Sequence, residues 1–439
     1  MKRMTLFLLL VSLGFAQTID LTLERAEQLA LEQNFDLTIA RKGETKAKVS
    51  VAEAVGTVLP SITAYGSYTK NHELPVIYIP NFTNPAGPNI PITMGVPYNA
   101  TAGLSLNQPL FNGGAAGNGL LIALESKNIS SWSRELTRQQ VLNTVRSLYF
   151  QTEFLESLIK ATERSSLSAK TNLEQVQKRE AVGRASRFDV LQAQVKLQSL
   201  QPQLQSLKNQ HETVLTHLRM VMGIEEVVHL NIADSLRKIA NPFAGTSLDS
   251  LKAIGLVNRP EMRITESQQD IAKYQRNIAM GQLLPSLSLS ADVRHQAQAE
   301  HSRDIDRDLY MRSTTTALNL SWPLFSGGRK TLGIQKALIS KKEADIRLQQ
   351  TALSIKSEIE SAWLKVNETE MNIGANATMM EHAAEALRLA RIMYENGSTT
   401  QLEVLTAEGN YLQAQSSYYQ SIFQYNVAVD QLKKAVNAL

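Results

Sequence analysis

The chain of 439 residues contains no cysteine, so there is no disulfide framework, no thiol chemistry and no N-terminal cysteine to carry lipid. Its seven histidines are scattered, and the nearest pair on one segment, His211 and His217, lacks the i, i+4 spacing of a helical metal pair. Proline is rationed by position: all thirteen fall within 60–109 or 202–323, leaving 110–201 and 324–439 free of it. Both proline-free runs are rich in Leu, Ala, Gln, Glu, Lys and Ser, the composition of long helices. An excess of either charge is lacking as well, with 45 Lys and Arg against 41 Asp and Glu. The formal balance is +4, of which Lys2 and Arg3 supply two, and this near-neutrality excludes nucleic acid as a partner class. After Phe15 no stretch approaches eighteen apolar residues, which excludes a membrane-spanning helix.

Lys2-Arg3, the short apolar run Leu6–Phe15 and Gly14-Phe15-Ala16 read as a targeting segment, residues 1–16, with a processed chain beginning at Gln17. An exported, cysteine-free chain without a membrane helix points to the periplasm or outer membrane of a Gram-negative-type cell.

The chain is written twice. Asn107-Gln-Pro-Leu-Phe-Asn-Gly-Gly114 returns as Ser321-Trp-Pro-Leu-Phe-Ser-Gly-Gly328, and Val182-Gly183 with Asp189-Val190-Leu191 returns as Asn396-Gly397 with Glu403-Val404-Leu405. Both echoes share one offset (323 − 109 = 397 − 183 = 214). Leu59-Pro60-Ser61 returns as Leu284-Pro285-Ser286, and Asn34-Phe35-Asp36-Leu37 as Arg259-Pro260-Glu261-Met262. A repeat of roughly 215 residues calls for two quasi-equivalent halves rather than a short-period solenoid. The expected organisation is a first repeat at 17–222, a linker at 223–246 that includes Asn241-Pro242-Phe243-Ala244-Gly245, and a second repeat at 247–439.

Each repeat reads as helix, two strands and a long helical hairpin. Leu23, Ala26, Leu29, Ala30, Ile39 and Ala40 mark one amphipathic helix up to about Val58. Alternation then takes over at 61–68 and 102–108, and again at 286–293 and 317–322. Strands of about ten residues with one apolar and one small or polar face suit a transmembrane barrel; a half-buried soluble sheet is the alternative. The six prolines between Pro75 and Pro97 predict an exposed irregular loop. Tyr65, Tyr68, Phe111, Trp322 and Phe325 are candidate interfacial aromatics, or ordinary strand packing.

Beyond Gly113-Gly114 and Gly327-Gly328, helices of roughly 67 residues, about 100 Å, run to about Val182 and Asn396. A rod that long needs lateral partners. The seam Val141, Val145, Leu148, Thr152, Leu155, Ile159 supplies them, and adding 214 gives Ile355, Ile359, Ala362, Val366, Thr369, Ile373 in the same register. Returning helices follow at about 186–222 and 399–438, the first expected to kink or break at Pro202. Four barrel strands are too few to close even an eight-stranded barrel, and open edges cannot face lipid, so other chains must complete the sheet as a dimer, trimer or tetramer.

No catalytic, cofactor-binding or metal-binding constellation emerges. Asp304, Asp306 and Asp308 resemble the start of a calcium loop, but Leu309 stands where the turn glycine belongs, and a solvated loop is the better reading. Gly327-Gly328-Arg329-Lys330-Thr331 fails the phosphate-loop signature because arginine separates glycine from lysine.

The segment Leu21-Thr-Leu-Glu-Arg-Ala-Glu-Gln-Leu-Ala-Leu-Glu-Gln-Asn34, the two Pro-Leu-Phe-x-Gly-Gly motifs and the two Gly-x-x-x-x-x-Asp/Glu-Val turns resemble the TolC-like outer-membrane efflux and secretion channels over essentially the whole processed chain. The resemblance implies a mainly α fold with a small β part, internally duplicated. Four transmembrane strands per chain would build a twelve-stranded barrel in a homotrimer, continued by a long α-helical barrel through the periplasm. It implies a passive conduit of a tripartite efflux or type I secretion system, with outer-membrane lipid, a periplasmic adaptor and an inner-membrane transporter as partners.

It also implies that a tyrosine–aspartate hydrogen bond shuts the periplasmic mouth, which maps to Tyr394 and Asp189. A second latch is not expected, since Thr399 stands where other members carry arginine. An acidic ring maps to Glu403, weakened by Thr406. The hairpin tips Val182, Gly183, Arg184 and Asn396, Gly397, Ser398 would meet the adaptor. Without the resemblance, the tips read as capped turns, with Asp189 and Glu403 as first-turn acids favoured by the helix dipole. The rival to the conduit is a soluble periplasmic coiled-coil scaffold or adaptor.

Overall fold

The computed structural model describes residues 18–224, 229–302, 305 and 311–438. The targeting segment and the candidate calcium residues Asp304, Asp306, Asp308 and Leu309 lie outside them. The chain divides into two compact units. One contains the chain up to Glu44, Ser130–Thr265 and Arg347 onward; the other contains Thr45–Ile129 and Glu266–Ile346.

In the second unit, β2 (Ser61–Lys70), β5 (Tyr98–Asn112), β7 (Ser286–Ala299) and β8 (Met311–Ser321) form one antiparallel sheet in the order β2-β5-β7-β8. The register aligns Ile62, Leu106, Ala291 and Thr316 in one row and Ala64, Leu104, Val293 and Thr314 in the next. Paired residues share a face, so apolar side chains collect on one side. The other side carries Thr63, Ser105, Asp292 and Thr315. Tyr65 belongs to this polar side: it pairs with Gly103, and its hydroxyl donates to Asp292 Oδ2 at 2.8 Å. A Cβ at Gly103 would stand 2.8 Å from that hydroxyl, so glycine makes the room the tyrosine occupies. Tyr65 therefore stands on the polar side of the sheet, away from its apolar rows. Trp322, just beyond β8, is exposed and donates its Nε1–H to the Leu283 carbonyl at 3.0 Å.

The loop expected to be irregular contains a short antiparallel pair, β3 (Val76–Ile79) with β4 (Ile90–Thr93). Pro91 sits opposite Tyr78 there, tolerated because in a two-stranded ribbon every strand is an edge.

The first helical segment is also two pieces. Helix α1 (Leu23–Gln33) stops at Asn34, with ψ 131°, before α2 (Phe35–Gly56) begins. The Asn34 amide donates to the Val221 carbonyl and its Oδ1 accepts from the Leu37 N–H. The second repeat breaks at the equivalent place with different chemistry: α5 (Leu248–Asn258) ends at Arg259, ψ 128°, and α6 (Pro260–Gly281) opens on proline, whose missing N–H costs nothing at a first helical position. Arg259 is buried and pairs with Glu261 and Glu358.

The long helices are α3 (Ala115–Ala181) and α7 (Arg329–Glu395), 67 residues each, returning as α4 (Arg187–Met222) and α8 (Gln401–Ala435). They start after Gly113, Gly114, Gly327 and Gly328, all at positive φ. At Gly113 a Cβ would also fall 2.1 Å from the Gly281 carbonyl oxygen, which no side chain survives. Pro202 does not break helix α4, which continues through it. One missing hydrogen bond leaves the exposed Gln198 carbonyl to water, a small loss in a helix of 36 residues.

The seam residues on α3 and α7 are buried or half-buried throughout, with Val145, Thr152, Ile359 and Thr369 fully enclosed. Two apolar cores form along them. One joins Val145 and Tyr149 to Leu29, Leu218 and Met222; the other joins Ile359 and Val366 to Leu251, Tyr425 and Leu432. The first core is closed by a parallel pair that the sequence did not reveal, β1 (Thr18–Leu21) with β6 (His229–Ile232). The Tyr149 hydroxyl lies 3.0 Å from the Leu21 carbonyl and 2.7 Å from Asp234 Oδ2. Beside it Glu153 is buried, and desolvation followed by the Asp234 charge pushes its carboxyl up to about 7.

Candidate aperture and hairpin tips

Each long hairpin turns through the same backbone device. In the first, Gly183 has φ +72°; its N–H reaches the Glu180 carbonyl at 2.8 Å, and that of Arg184 reaches the Arg179 carbonyl at 2.7 Å. In the second, Gly397 has φ +74°, with matching bonds from Gly397 to Tyr394 and from Ser398 to Met393. These left-handed ends satisfy the last carbonyls of α3 and α7, a geometry cheap only for glycine. The next helices are capped in turn. Ser186 and Asp189 form a reciprocal capping box at the start of α4, and Thr400 caps α8 by accepting from the Glu403 N–H. Val182, Gly183, Arg184, Asn396, Gly397 and Ser398 are all exposed, as are the apolar side chains of Phe188 and Leu402 beside them.

Asp189 is half-buried, and its Oδ2 accepts from both the backbone N–H and the hydroxyl of Ser186, at 2.9 and 2.7 Å. Tyr394 is held elsewhere: the Arg179 guanidinium lies over its ring, 4.6 Å from the centroid. The structure therefore does not join Asp189 to Tyr394 within one chain among the described residues. Glu403 is exposed on the first turn of α8, with Thr406 exposed one turn on.

Two features escaped sequence reasoning. One is the Arg179 contact to Tyr394. The other is a polar clamp just behind the tips, where Arg391 Nη2 donates to Glu408 Oε1 at 2.8 Å and to Ser168 Oγ at 2.7 Å, tying α7 to α8 and α3. Glu408 is only 5 % exposed, and its Oε2 finds no partner. The clamp lines a cavity of about 430 Å³ that Asn172 and Tyr394 also border. A signal for it existed: the first repeat has Gln177 and Gln194 at the positions of Arg391 and Glu408, so a complementary charge pair appears in the second copy alone. Among the described residues no group of three or more His, Asp or Glu side chains could hold a metal, and no helix is long and apolar enough to cross a membrane.

The family model described as outer membrane efflux protein matches residues 27–224 and 254–438. The pyoverdine export outer membrane protein OpmQ of Pseudomonas aeruginosa is 26% identical over 324 residues, which cover 73% of this chain and 66% of that protein. The outer membrane protein TolC of Salmonella enteritidis is 23% identical over 79% of this chain and 70% of its own. The crystal structure of the Campylobacter jejuni CmeC outer membrane channel superposes with a TM-score of 0.79 at 20% identity, covering 95% of this chain and 85% of that one. The two relatives are named as outer membrane proteins and the solved neighbour as an outer membrane channel, which favours neither an enzyme nor a soluble scaffold. With both of its halves matched, the chain belongs to the outer membrane efflux protein family, as an outer-membrane channel protein whose long helices lie in the periplasm.

Proposed function

We propose that three copies of this chain close into one passive conduit from periplasm to exterior, gated at the hairpin tips and driven by an inner-membrane transporter through a periplasmic adaptor. The observation that carries the reading is the four-stranded sheet. It ends in two unpaired edges, β2 and β8, although its apolar face belongs in lipid, where each unpaired backbone group costs several kcal/mol. Edge-to-edge joining of copies removes every such edge, and three copies give twelve strands. The helices ask for the same remedy. Leu332, Ile339, Ile346 and Leu353 recur every seven residues along α7, each 59 to 67 % exposed, a second heptad seam left uncovered by the described residues of its own chain.

The aperture forms where Asp189, Tyr394 and Glu403 of the copies converge. Asp189 keeps its Oδ1 for a donor while Oδ2 caps its helix, so the Tyr394 hydroxyl latches there in the closed ring without breaking the cap. Adaptor binding to the exposed tips around Gly183 and Gly397 draws the hairpins apart, and Glu403 gives the opening a cation-favouring rim. The test is single-channel recording in planar bilayers. Wild-type protein conducts weakly, and Tyr394→Phe with Asp189→Ala conducts more; unchanged conductance removes the latch, and no conductance from either removes the conduit.

A further inference from the structure

We infer that the apolar face of the sheet ends, at its outer rim, in a binding site for the phosphate groups of an anionic lipid headgroup, built from Arg312 and His295. The inference rests on the membrane placement of the sheet and adds a ligand that this placement does not require.

His295 on β7 and Arg312 on β8 are direct cross-strand partners, so their side chains leave the same face side by side. That face is the apolar one. The row beneath them is Ala64, Leu104, Val293 and Thr314, and the cations stand one row further out. Both are exposed, and among the described residues neither has an acidic partner. Lys70 extends the positive rim on the edge strand β2, where it faces Tyr98 in register and its ammonium lies 5.7 Å from that ring. Tyr68 packs beside Tyr98, ring centres 6.3 Å apart, giving the rim the amphipathic aromatics of a headgroup level.

The height fits. Trp322, one residue beyond the end of β8, stands ten residues along the chain from Arg312. That is about 33 Å along a strand, or about 25 Å along the membrane normal at a usual barrel tilt, the thickness of the apolar band. Trp322 is at the end where β8 leads into α7, hence the periplasmic level, which puts Arg312 at the outer headgroups. A guanidinium beside an imidazole at that level matches a phosphate, which arginine binds with two parallel N–H donors. A neutral zwitterionic headgroup has no comparable need for unopposed cations.

The whole channel in detergent is titrated with fluorescent bisphosphorylated lipid A, with its enzymatically dephosphorylated form and with phosphatidylcholine. Wild-type protein retains the phosphorylated lipid in preference to both others. Arg312→Ala with His295→Ala weakens that retention about tenfold, the equivalent of losing one good charge-assisted contact, and leaves phosphatidylcholine unchanged. Arg312→Lys, which keeps the charge, loses less. Equal retention of the phosphorylated and dephosphorylated lipids by wild-type protein overturns the site, and that comparison needs no variant to fold. Displacement by inorganic phosphate at concentrations no higher than the lipid's own assigns the cations to a free anion and also overturns it. Loss of all three lipids together speaks against the membrane placement instead.

Discussion

The guanidinium of Arg179, near the end of α3, lies 4.6 Å from the ring centre of Tyr394, near the end of α7. One contact thus ties the first hairpin to the second at the residue proposed to latch the mouth. A cation over a partly exposed ring contributes about 0.5–1 kcal/mol. Arg179→Ala is expected to shift the closed-to-open ratio about two- to fivefold toward open, by that same energy. Tyr394→Phe keeps the ring and its cation, so it reports the hydroxyl alone. Single-channel open probability of the two variants separates the contributions, and equal effects would mean that ring and hydroxyl act together.

Asp189 has two duties, and they are separable. Ser186→Ala removes the hydroxyl side of the capping box and should cost about 1 kcal/mol at the start of α4. It leaves Asp189 and Tyr394 in place. Hydrogen exchange across 186–192 should therefore accelerate while resting conductance stays at the wild-type level. If Ser186→Ala opens the channel as fully as Asp189→Ala, the aspartate acts through its cap and the latch reading fails.

Glu408 is buried while Arg391 remains 47 % exposed at its side chain, so the pair is asymmetric. Removing the arginine leaves the buried carboxylate only the Ser168 hydroxyl, 3.0 Å from Oε1, and its second oxygen already lacks a partner. Arg391→Ala is expected to destabilise the tip region by about 1–3 kcal/mol, discounted from a fully buried pair because one partner meets solvent. Arg391→Ala combined with Glu408→Gln, which restores the pair of uncharged groups seen in the first repeat, should recover most of it. Thermal melting of the two variants measures this, and no recovery would locate the loss in Arg391 packing rather than in the stranded charge.

Glu153 sets a pH dependence. Burial and the neighbouring Asp234 and Glu156 raise its folded pKa to about 7 from 4.5, against the partial relief of Arg237. The folded state then holds a proton that the unfolded state has released between those values. Stability is full below about pH 4.5 and falls as pH rises through 7, by on the order of 2–3 kcal/mol. Glu153→Gln should flatten that fall and leave the variant more stable than wild type at pH 8. Chemical denaturation at pH 5.5 and 8 checks it; a wild-type protein equally stable at both would contradict it.

Repetition made much of this fold legible. The seam from Val141 could be written again from Ile355 because a heptad contact between helices leaves a mark at fixed spacing. The break at Asn34 escaped because apolar periodicity continues across it; what stops the helix is a side-chain bond to Val221, 187 residues away. The β1–β6 pair escaped for a similar reason, since four-residue strands carry too little alternation to be distinguished from loop. Pro202 does not end its helix because a single missing donor weighs little in a long, partly solvated helix.

At the tips the sequence disclosed geometry better than chemistry. Gly183, Gly397 and the caps Ser186 and Thr400 are local devices, settled by residues three to five apart. Arg179 over Tyr394, and Arg391 with Glu408 and Ser168, depend on which helices meet, and a linear pattern does not contain that except through the contrast with Gln177 and Gln194.

The most direct measurement is the protein mass of the detergent-solubilised particle by light scattering, with detergent mass subtracted. Three chains per particle, held together through purification and dissociating only with loss of the β signal, is the predicted result. A single chain that stays folded and monomeric without detergent would contradict the account at its root, because β2 and β8 would then need no neighbour.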